Sequence, residues 1–134
     1  MKKIILAIIA SLSLLIVANS CSNSIVGTEW VYKADSVFAD EYLVLKFTSK
    51  NTVKVYCTDN NFIATDEPRT GTFSYNKDGI IVFSNLEYYY SFCKFIFIEA
   101  EMTSPETLEV CASIREILSN DLENEEYFTF GRKR

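Results

Sequence analysis

The sequence predicts an all-β protein: an eight-stranded antiparallel up-and-down barrel in which each strand pairs with the next along the chain. Two observations predict this fold class. Apolar and polar residues alternate over a series of short segments, which is the pattern of strands with one buried face. Short turn-rich stretches such as Asn76–Gly79 separate the segments and join antiparallel neighbours. Closure into a barrel removes exposed edges, and a β-sandwich is the alternative that fits the same pattern.

An N-terminal signal segment precedes the predicted barrel. Lys2 and Lys3 lead into a mostly apolar 14-residue run, Ile4–Val17, which is shorter than the ~20 residues that a membrane-spanning helix needs. The following Ala18–Cys21 resembles the bacterial lipobox, in which the cysteine is acylated and the chain is cut just before it. An ordinary signal peptide with an incidental cysteine and an uncleaved anchor are the alternatives. We expect residues 1–20 to be a lipoprotein signal peptide, residues 21–27 a tether lipidated at Cys21, and residues 28–134 the barrel domain.

The mature chain supplies eight segments with strand character. The third and fourth alternate most regularly, and aromatic and β-branched residues are frequent throughout, as in pleated, half-buried surfaces. The predicted strands are, in chain order, Trp30–Asp35, Tyr42–Thr48, Thr52–Thr58, Arg69–Tyr75, Ile80–Ser84, Tyr89–Met102, Thr107–Ala112 and Tyr127–Arg132.

One segment departs from strand periodicity. Ile114, Ile117 and Leu118 follow helical spacing, and Ser113 with Glu116 forms a capping-box pattern. A short helix near residues 113–122 is therefore predicted, packed across an end or side of the barrel. The alternative is that the seventh strand simply continues to Leu118.

Composition and charge exclude several function classes. Without Lys2 and Lys3, 11 basic residues face 18 acidic ones, a net charge of −7, and such a surface repels nucleic-acid phosphate. There is no histidine, so the usual general base and the usual zinc ligand are both missing. The sequence has no glycine-rich phosphate loop and no nucleophile elbow. We expect no nucleic-acid partner, no cofactor, no metal and no enzymatic activity.

The start of the first strand carries a family resemblance. The segment Ile25–Trp30, followed by a meander of hairpins, resembles the lipocalin-like (calycin) group, and more narrowly the small lipocalin-like lipoproteins of Bacteroidetes-type bacteria. In that group a Gly-x-Trp element begins the first strand, and an Arg or Lys near the last strand packs over the Trp. Gly27 and Trp30 stand one residue further apart than in that element, and Arg132 is the residue that the resemblance implies over Trp30. From its residue type alone, Trp30 is expected to be a core side chain without a ligand role.

The cysteines other than Cys21 are assigned by alternation. Cys57 is expected on the inward face, while Cys93 and Cys111 are expected on the outward faces of two neighbouring strands. In an oxidising compartment this predicts that Cys93 and Cys111 could form a cross-strand disulfide, leaving Cys57 free and buried.

Aromatic and acidic clusters have a functional and a structural interpretation. The aromatic stretch Tyr88–Phe97 could be a ligand or sugar platform, but wall packing is favoured, and such large side chains predict a filled or nearly filled interior. Glu99 and Glu101 are expected to be solvent-facing charges rather than a glycosidase pair. The acids near the C-terminus lack the spacing of a calcium loop and are expected to be solvated: Asp121, Glu123, Glu125 and Glu126.

Two functions remain open from the sequence. The first is a membrane-anchored module of the cell envelope, facing the periplasm, that binds a small apolar ligand inside the barrel. The second is a structural or interaction module of the envelope that contacts a protein or glycan through its outer face or loops. An open apolar cavity would favour the first function, and a filled barrel would favour the second.

Overall fold

The computed structural model describes residues 25–33, 41–90, 92–117 and 124–134. The predicted signal peptide and Cys21 lie outside the described residues. The described residues form nine strands: β1 Glu29–Tyr32, β2 Tyr42–Phe47, β3 Thr52–Thr58, β4 Arg69–Tyr75, β5 Ile81–Ser84, β6 Glu87–Tyr90, β7 Cys93–Ser104, β8 Thr107–Glu116 and β9 Asn124–Lys133.

Eight of these strands close into an antiparallel barrel. The first strand pairs with both β2 and β9, and β5 pairs with β7, so the pairing runs β1-β2-β3-β4-β5-β7-β8-β9 and returns to β1. This continuous ring confirms the predicted barrel, because the two sheets of a sandwich would not be joined at both edges. The barrel has a near end, where β1 begins and β9 ends, and a far end at the opposite rim.

The ninth strand arises because the predicted segment Tyr89–Met102 is not one strand. Tyr90 pairs with Cys93, so the chain reverses between them and β6 forms a hairpin with β7. Phe92 lies in this turn with a φ of 65°. The turn has no glycine, and therefore the sequence carried no ordinary signal for it. Strand β7 consequently pairs along one edge with β6 in its first half and with β5 in its second half.

Between β5 and β6 the chain kinks and passes close to β4. A Cβ atom at Gly71 would lie 2.8 Å from the Cβ of Leu86 and 2.9 Å from its Cα. Leu86 is itself buried, and the preceding Asn85 has a φ of 55°. Glycine at position 71 therefore lets the kinked chain carry Leu86 directly against β4.

The helix predicted near residues 113–122 is wrong over its described part. Residues through Glu116 belong to β8, with Ser113 opposite Glu125 and Ile114 opposite Asn124 on β9. Ile114 packs against the core. Pairing with neighbouring strands outweighs the local capping pattern, because β8 pairs with β7 as far as Glu116 and with β9 as far as Ile114. Residues 118–122 lie outside the described residues.

A register shift in β7 changes which of its residues face inward. The pairing with β8 is irregular between Phe97 and Glu99. Phe95 and Phe97 are buried before the shift, and Ala100 is buried after it. This bulge moves the inward face from odd-numbered to even-numbered residues.

Two loops share one turn geometry at opposite ends of the barrel. At the near end, the Asn76 side chain accepts hydrogen bonds from the backbone N–H groups of Asp78 and Ile80, and Gly79 has a φ of 78°. In the far-end loop, residues 59–68, the Asp59 side chain accepts the equivalent bonds from Asn61 and Ile63. Phe62, with a φ of 60°, occupies the position that Gly79 has in the other turn.

Candidate functional site

The barrel interior is filled by aromatic side chains. Phe47 on β2 contacts Phe73 on β4 and Phe83 on β5, with ring centroids 4.9 and 6.3 Å apart. Phe95 on β7 contacts Phe128 on β9 at 6.3 Å. These contacts join strands that are two or three positions apart in the ring, so the rings bridge the interior rather than lining an open cavity.

The near end is closed around Trp30. This side chain is fully buried, and its Nε1 donates a hydrogen bond of 2.8 Å to Thr28 Oγ1. Ile25 is also fully buried in the same core cluster. The packed part of the barrel therefore includes Ile25, which lies in the range 21–27 that was predicted to be a tether.

Arg132 and Trp30 are direct cross-strand partners on β9 and β1. That the Arg132 guanidinium packs over the Trp30 ring stays a prediction of the resemblance. The burial of Trp30 within the core agrees with the interpretation that it has a packing role.

A polar network lies inside the far half of the barrel. The Tyr88 hydroxyl donates a hydrogen bond of 2.5 Å to Asp66 Oδ2 and also contacts the Cys57 thiol. Burial, opposed in part by this contact, raises the pKa of Cys57 to about 11. Burial and the neighbouring Asp66 raise the pKa of Tyr88 as well.

This network keeps the Cys57 thiol and the Tyr88 hydroxyl protonated rather than activating them. A thiol with a pKa near 11 is almost wholly neutral at physiological pH and is a poor nucleophile. A second tyrosine, Tyr90, contacts Glu41. Burial is the main cause that raises the pKa of Tyr90, and the negative charge of the Glu41 carboxylate raises it further. Asp66 and Tyr88 were not predicted to be partners, because nothing in the sequence of the far-end loop indicates that it reaches back to β6.

The three described cysteines are free, and the predicted Cys93–Cys111 disulfide is wrong. Cys111 lies opposite Glu99, six residues along β7 from Cys93, which corresponds to about 20 Å. Cys93 also packs against the core rather than facing outward, because the β7 bulge reverses the alternation. The prediction that Cys57 is inward, free and buried is confirmed.

The Tyr88–Phe97 stretch divides between the inside and the outside of the barrel. Tyr88, Phe95 and Phe97 are buried in the core, whereas Tyr89 is exposed on the outer wall. Phe92 is 69% exposed at the tip of the β6–β7 turn. The stretch is therefore mainly wall and core packing and does not form one continuous platform.

An acidic cleft of about 60 Å³ opens on the outer wall. Glu101 on β7 faces Glu109 on β8, and Glu99 faces Cys111. The exposed Tyr127 forms one side of the cleft. The outward position of Glu99 and Glu101 agrees with the prediction that they are surface charges.

The described residues contain no group of three or more cysteine and carboxylate side chains arranged to hold a metal ion. Glu125 and Glu126 are exposed on β9, while Asp121 and Glu123 lie outside the described residues.

A row of charged side chains crosses the outer wall on the other side. Direct cross-strand pairing aligns Lys133, Glu29, Lys46 and Lys54 on the four neighbouring strands β9, β1, β2 and β3. The Glu29 carboxylate lies 3.5 Å from the Lys46 ammonium and 3.4 Å from the Lys133 ammonium. The alternation in β3 and the short turn before it could have predicted that Lys46 lies opposite Lys54. The position of Lys133 beside Glu29 could not be predicted in this way, because it depends on the pairing of the last strand with the first.

The far-end loop folds down against this row. The Phe62 ring stacks on Tyr42 at 4.7 Å, and the Lys133 ammonium lies 4.5 Å from its centroid. Ile63, beside it, is 63% exposed. We call the surface formed by Lys46, Lys54, Lys133, Phe62 and Ile63 the lysine wall.

Among the described residues, none lies in a helix of the length and apolarity that crossing a membrane requires. Comparison of the chain with family models, curated proteins and solved structures found no match.

Proposed function

We propose that this chain is a lipid-anchored protein of the cell envelope whose filled barrel is a rigid scaffold for contact with an envelope protein or glycan. The observation that carries the proposal is the aromatic filling of the interior, in which Phe47 contacts both Phe73 and Phe83 across the barrel. The lipobox-like segment before Cys21 supports the anchor and a periplasm-facing position.

The filled interior favours a scaffold over a carrier. Pockets for small ligands usually have a volume of ~300–1,000 Å³, whereas the core rings of this barrel occupy the space that such a ligand would need. The near end is closed by the buried side chains of Ile25, Trp30 and Phe47. A non-enzymatic role also agrees with the raised pKa of Cys57, which leaves this thiol unreactive.

Binding of a small apolar ligand is the second candidate. The inward Tyr88 hydroxyl, hydrogen-bonded to Asp66, could orient a polar group at the far end. Native mass spectrometry of protein purified from its host separates the two functions. The scaffold predicts the mass of the acylated chain alone, whereas a stoichiometric apolar small molecule retained by the protein would favour the carrier.

The far end is the surface best suited to a partner. Phe92 and Ile117 are both exposed there and are joined by a backbone hydrogen bond of 2.8 Å. We expect a photo-crosslinking amino acid at position 92 to give a discrete adduct in intact cells, while the same group at the exposed Ser74 on β4 gives none. Equal labelling from both positions, or none from position 92, would exclude a far-end binding surface.

The anchor is tested separately. Labelled palmitate should be incorporated into the full chain and lost in Cys21→Ala, which should also release the protein from the membrane fraction. Incorporation that persists in this variant, or is absent from the parent chain, would remove the lipoprotein part of the proposal without affecting the far-end test.

A further inference from the structure

The lysine wall carries an unbalanced positive charge. Its row contains three lysines and one carboxylate, and Lys46 lies directly opposite Lys54. Like charges in direct cross-strand positions repel each other. Glu29 forms ion pairs with Lys46 and Lys133, and within the described residues no carboxylate forms an ion pair with Lys54. An external anion would relieve this repulsion.

The same wall exposes apolar surface at a strained backbone position. Phe62 has a φ of 60° at the place that Gly79 occupies in the equivalent near-end turn. A bulky residue in the left-handed region is unfavourable, and this residue holds an aromatic ring beside Lys133 with the exposed Ile63 next to it. Apolar side chains beside lysines form a surface suited to the interfacial layer of an anionic membrane.

Chain length brings this surface close to the predicted anchor. Ile25 is four positions after Cys21, and four extended residues span at most about 14 Å. Glu29 in the row is four positions further on, at the start of β1. A membrane that held Cys21 would therefore lie within reach of the lysine wall, and the tether would keep the wall at high effective concentration.

We propose that the lysine wall rests on the anionic phospholipid surface of the membrane to which the chain is anchored. The lysine ammonium groups contact lipid phosphates, and Ile63 with the edge of Phe62 enters the interfacial layer. The convex outer wall suits a lipid surface, and the carboxylates of the acidic cleft, Glu99, Glu101 and Glu109, lie on β7 and β8, outside the four strands of the row. This inference rests on the proposed anchor for its location, although the surface can be tested without it.

The test uses vesicles and the mature chain without lipid. The nine described strands lie between Glu29 and Lys133, so a chain beginning at Ser22 retains all of them. It should co-sediment with phosphatidylglycerol vesicles more than with phosphatidylcholine vesicles, and this preference should decrease as salt concentration rises. Equal partitioning into both vesicles, or binding to neither, would overturn the proposal.

Two matched charge reversals locate the interaction. Lys54→Glu places a carboxylate opposite Lys46, and Arg115→Glu does the same opposite Lys94 in the far half of the barrel. Both change the net charge equally, and both replace a like-charge pair with an opposite pair, so neither should destabilise the fold. We expect Lys54→Glu to lower partitioning about five- to thirtyfold, from ~1 kcal/mol per charge, while Arg115→Glu changes it less than twofold. Equal losses would indicate general charge repulsion and contradict the proposal.

A second matched pair tests the apolar contact. Ile63→Ser and Ile117→Ser each remove an exposed isoleucine, one on the lysine wall and one at the far end. Only Ile63→Ser should lower partitioning, by about tenfold. If the wall instead bound an acidic protein, neither variant would affect vesicle partitioning. Since the assay uses chain without lipid, failure of palmitate labelling would remove the anchor and leave the vesicle result intact.

Discussion

At the scale of single residues, Phe62 has two opposing energetic terms. Its left-handed backbone conformation is unfavourable, and its stacking on Tyr42 and contact with Lys133 are favourable. The equivalent Gly79 has neither the strain nor the ring. The phenylalanine therefore costs backbone energy while keeping an apolar side chain on the outer wall.

Comparison of Phe62→Gly with Phe62→Ala isolates this strain. Both substitutions remove the ring, but only glycine relaxes the left-handed backbone. We expect Phe62→Gly to be more stable than Phe62→Ala by about 1 kcal/mol in urea unfolding. At the equivalent Gly79, the parent chain should likewise be more stable in urea unfolding than Gly79→Ala. Equal stabilities of the two Phe62 variants would contradict a strained turn.

Cys57 and Tyr88 predict a loss of stability at alkaline pH. Burial raises the pKa of Cys57 from 9.0 to about 11 and also raises the pKa of Tyr88 above its ordinary 10.0. The folded state therefore retains protons that the unfolded chain releases, so the stabilising contribution is complete below pH 9 and is lost as the pH rises toward 11. Urea unfolding between pH 8 and 11 should show this decrease, with a shallower slope between pH 9 and 11 in Cys57→Ala. An identical slope in that variant would exclude Cys57 as a cause.

At the scale of elements, the contact between β4 and Leu86 is the least tolerant of change. Gly71→Ala would place a Cβ 2.8 Å from Leu86 Cβ and 2.9 Å from its Cα, and the second of these atoms is backbone that cannot rotate away. We expect a loss of about 2–3 kcal/mol in the free energy of unfolding. Gly131→Ala is the control, because its Cβ would have no atom within 4 Å. A Gly71→Ala variant as stable as this control would show that β4 and the kinked chain separate easily.

Elements specified by local signals were predictable, and elements specified by distant partners were not. The strand pattern and the turn at Asn76–Gly79 led to the correct barrel. The β6–β7 hairpin was missed because Phe92 occupies a turn position where glycine is expected. The β7 bulge was missed because it depends on pairing with β8, and it reversed the predicted orientation of Cys93. The helix prediction failed at Ser113 because β9 lies beside it only in the closed barrel.

The candidate surfaces follow the same division. Alternation in the third strand correctly placed Cys57 inside, and by the same rule it places Lys54 outside. The row becomes continuous only when Lys133 of the last strand meets Glu29 of the first. The polar network likewise needs Asp66, in a far-end loop, to reach Tyr88 on β6. Both features depend on contacts between residues far apart in the chain, which local patterns do not encode.

At the scale of the whole molecule, charge is distributed unevenly around an acidic protein. The net charge of the chain is −5, yet three lysines and one carboxylate form the row on β9, β1, β2 and β3. The acidic cleft is lined by three carboxylates on β7 and β8, and its lining includes no lysine or arginine. Near an anionic surface, this asymmetry produces a preferred orientation as well as attraction. That orientation would leave the acidic cleft and the far-end residues Phe92 and Ile117 accessible from the aqueous side.

Strand β9 both closes the barrel and carries Lys133 of the lysine wall. Removal of β9 therefore tests whether the fold, and with it the wall, depends on closure. A chain that ends at Ile117 lacks β9, the strand that pairs with both β1 and β8 and closes the barrel. It also lacks the side chains of Phe128 and Phe130, which pack in the core. We expect it to lose cooperative unfolding, and the fluorescence of Trp30, the one tryptophan, to shift to longer wavelength as water reaches the core. A chain that ends at Lys133 loses only Arg134 and its exposed ion pair with Glu106, which should leave the stability almost unchanged. If the shorter chain kept a cooperative transition and a buried Trp30, the barrel would not depend on closure, and the row that closure assembles would have no structural basis.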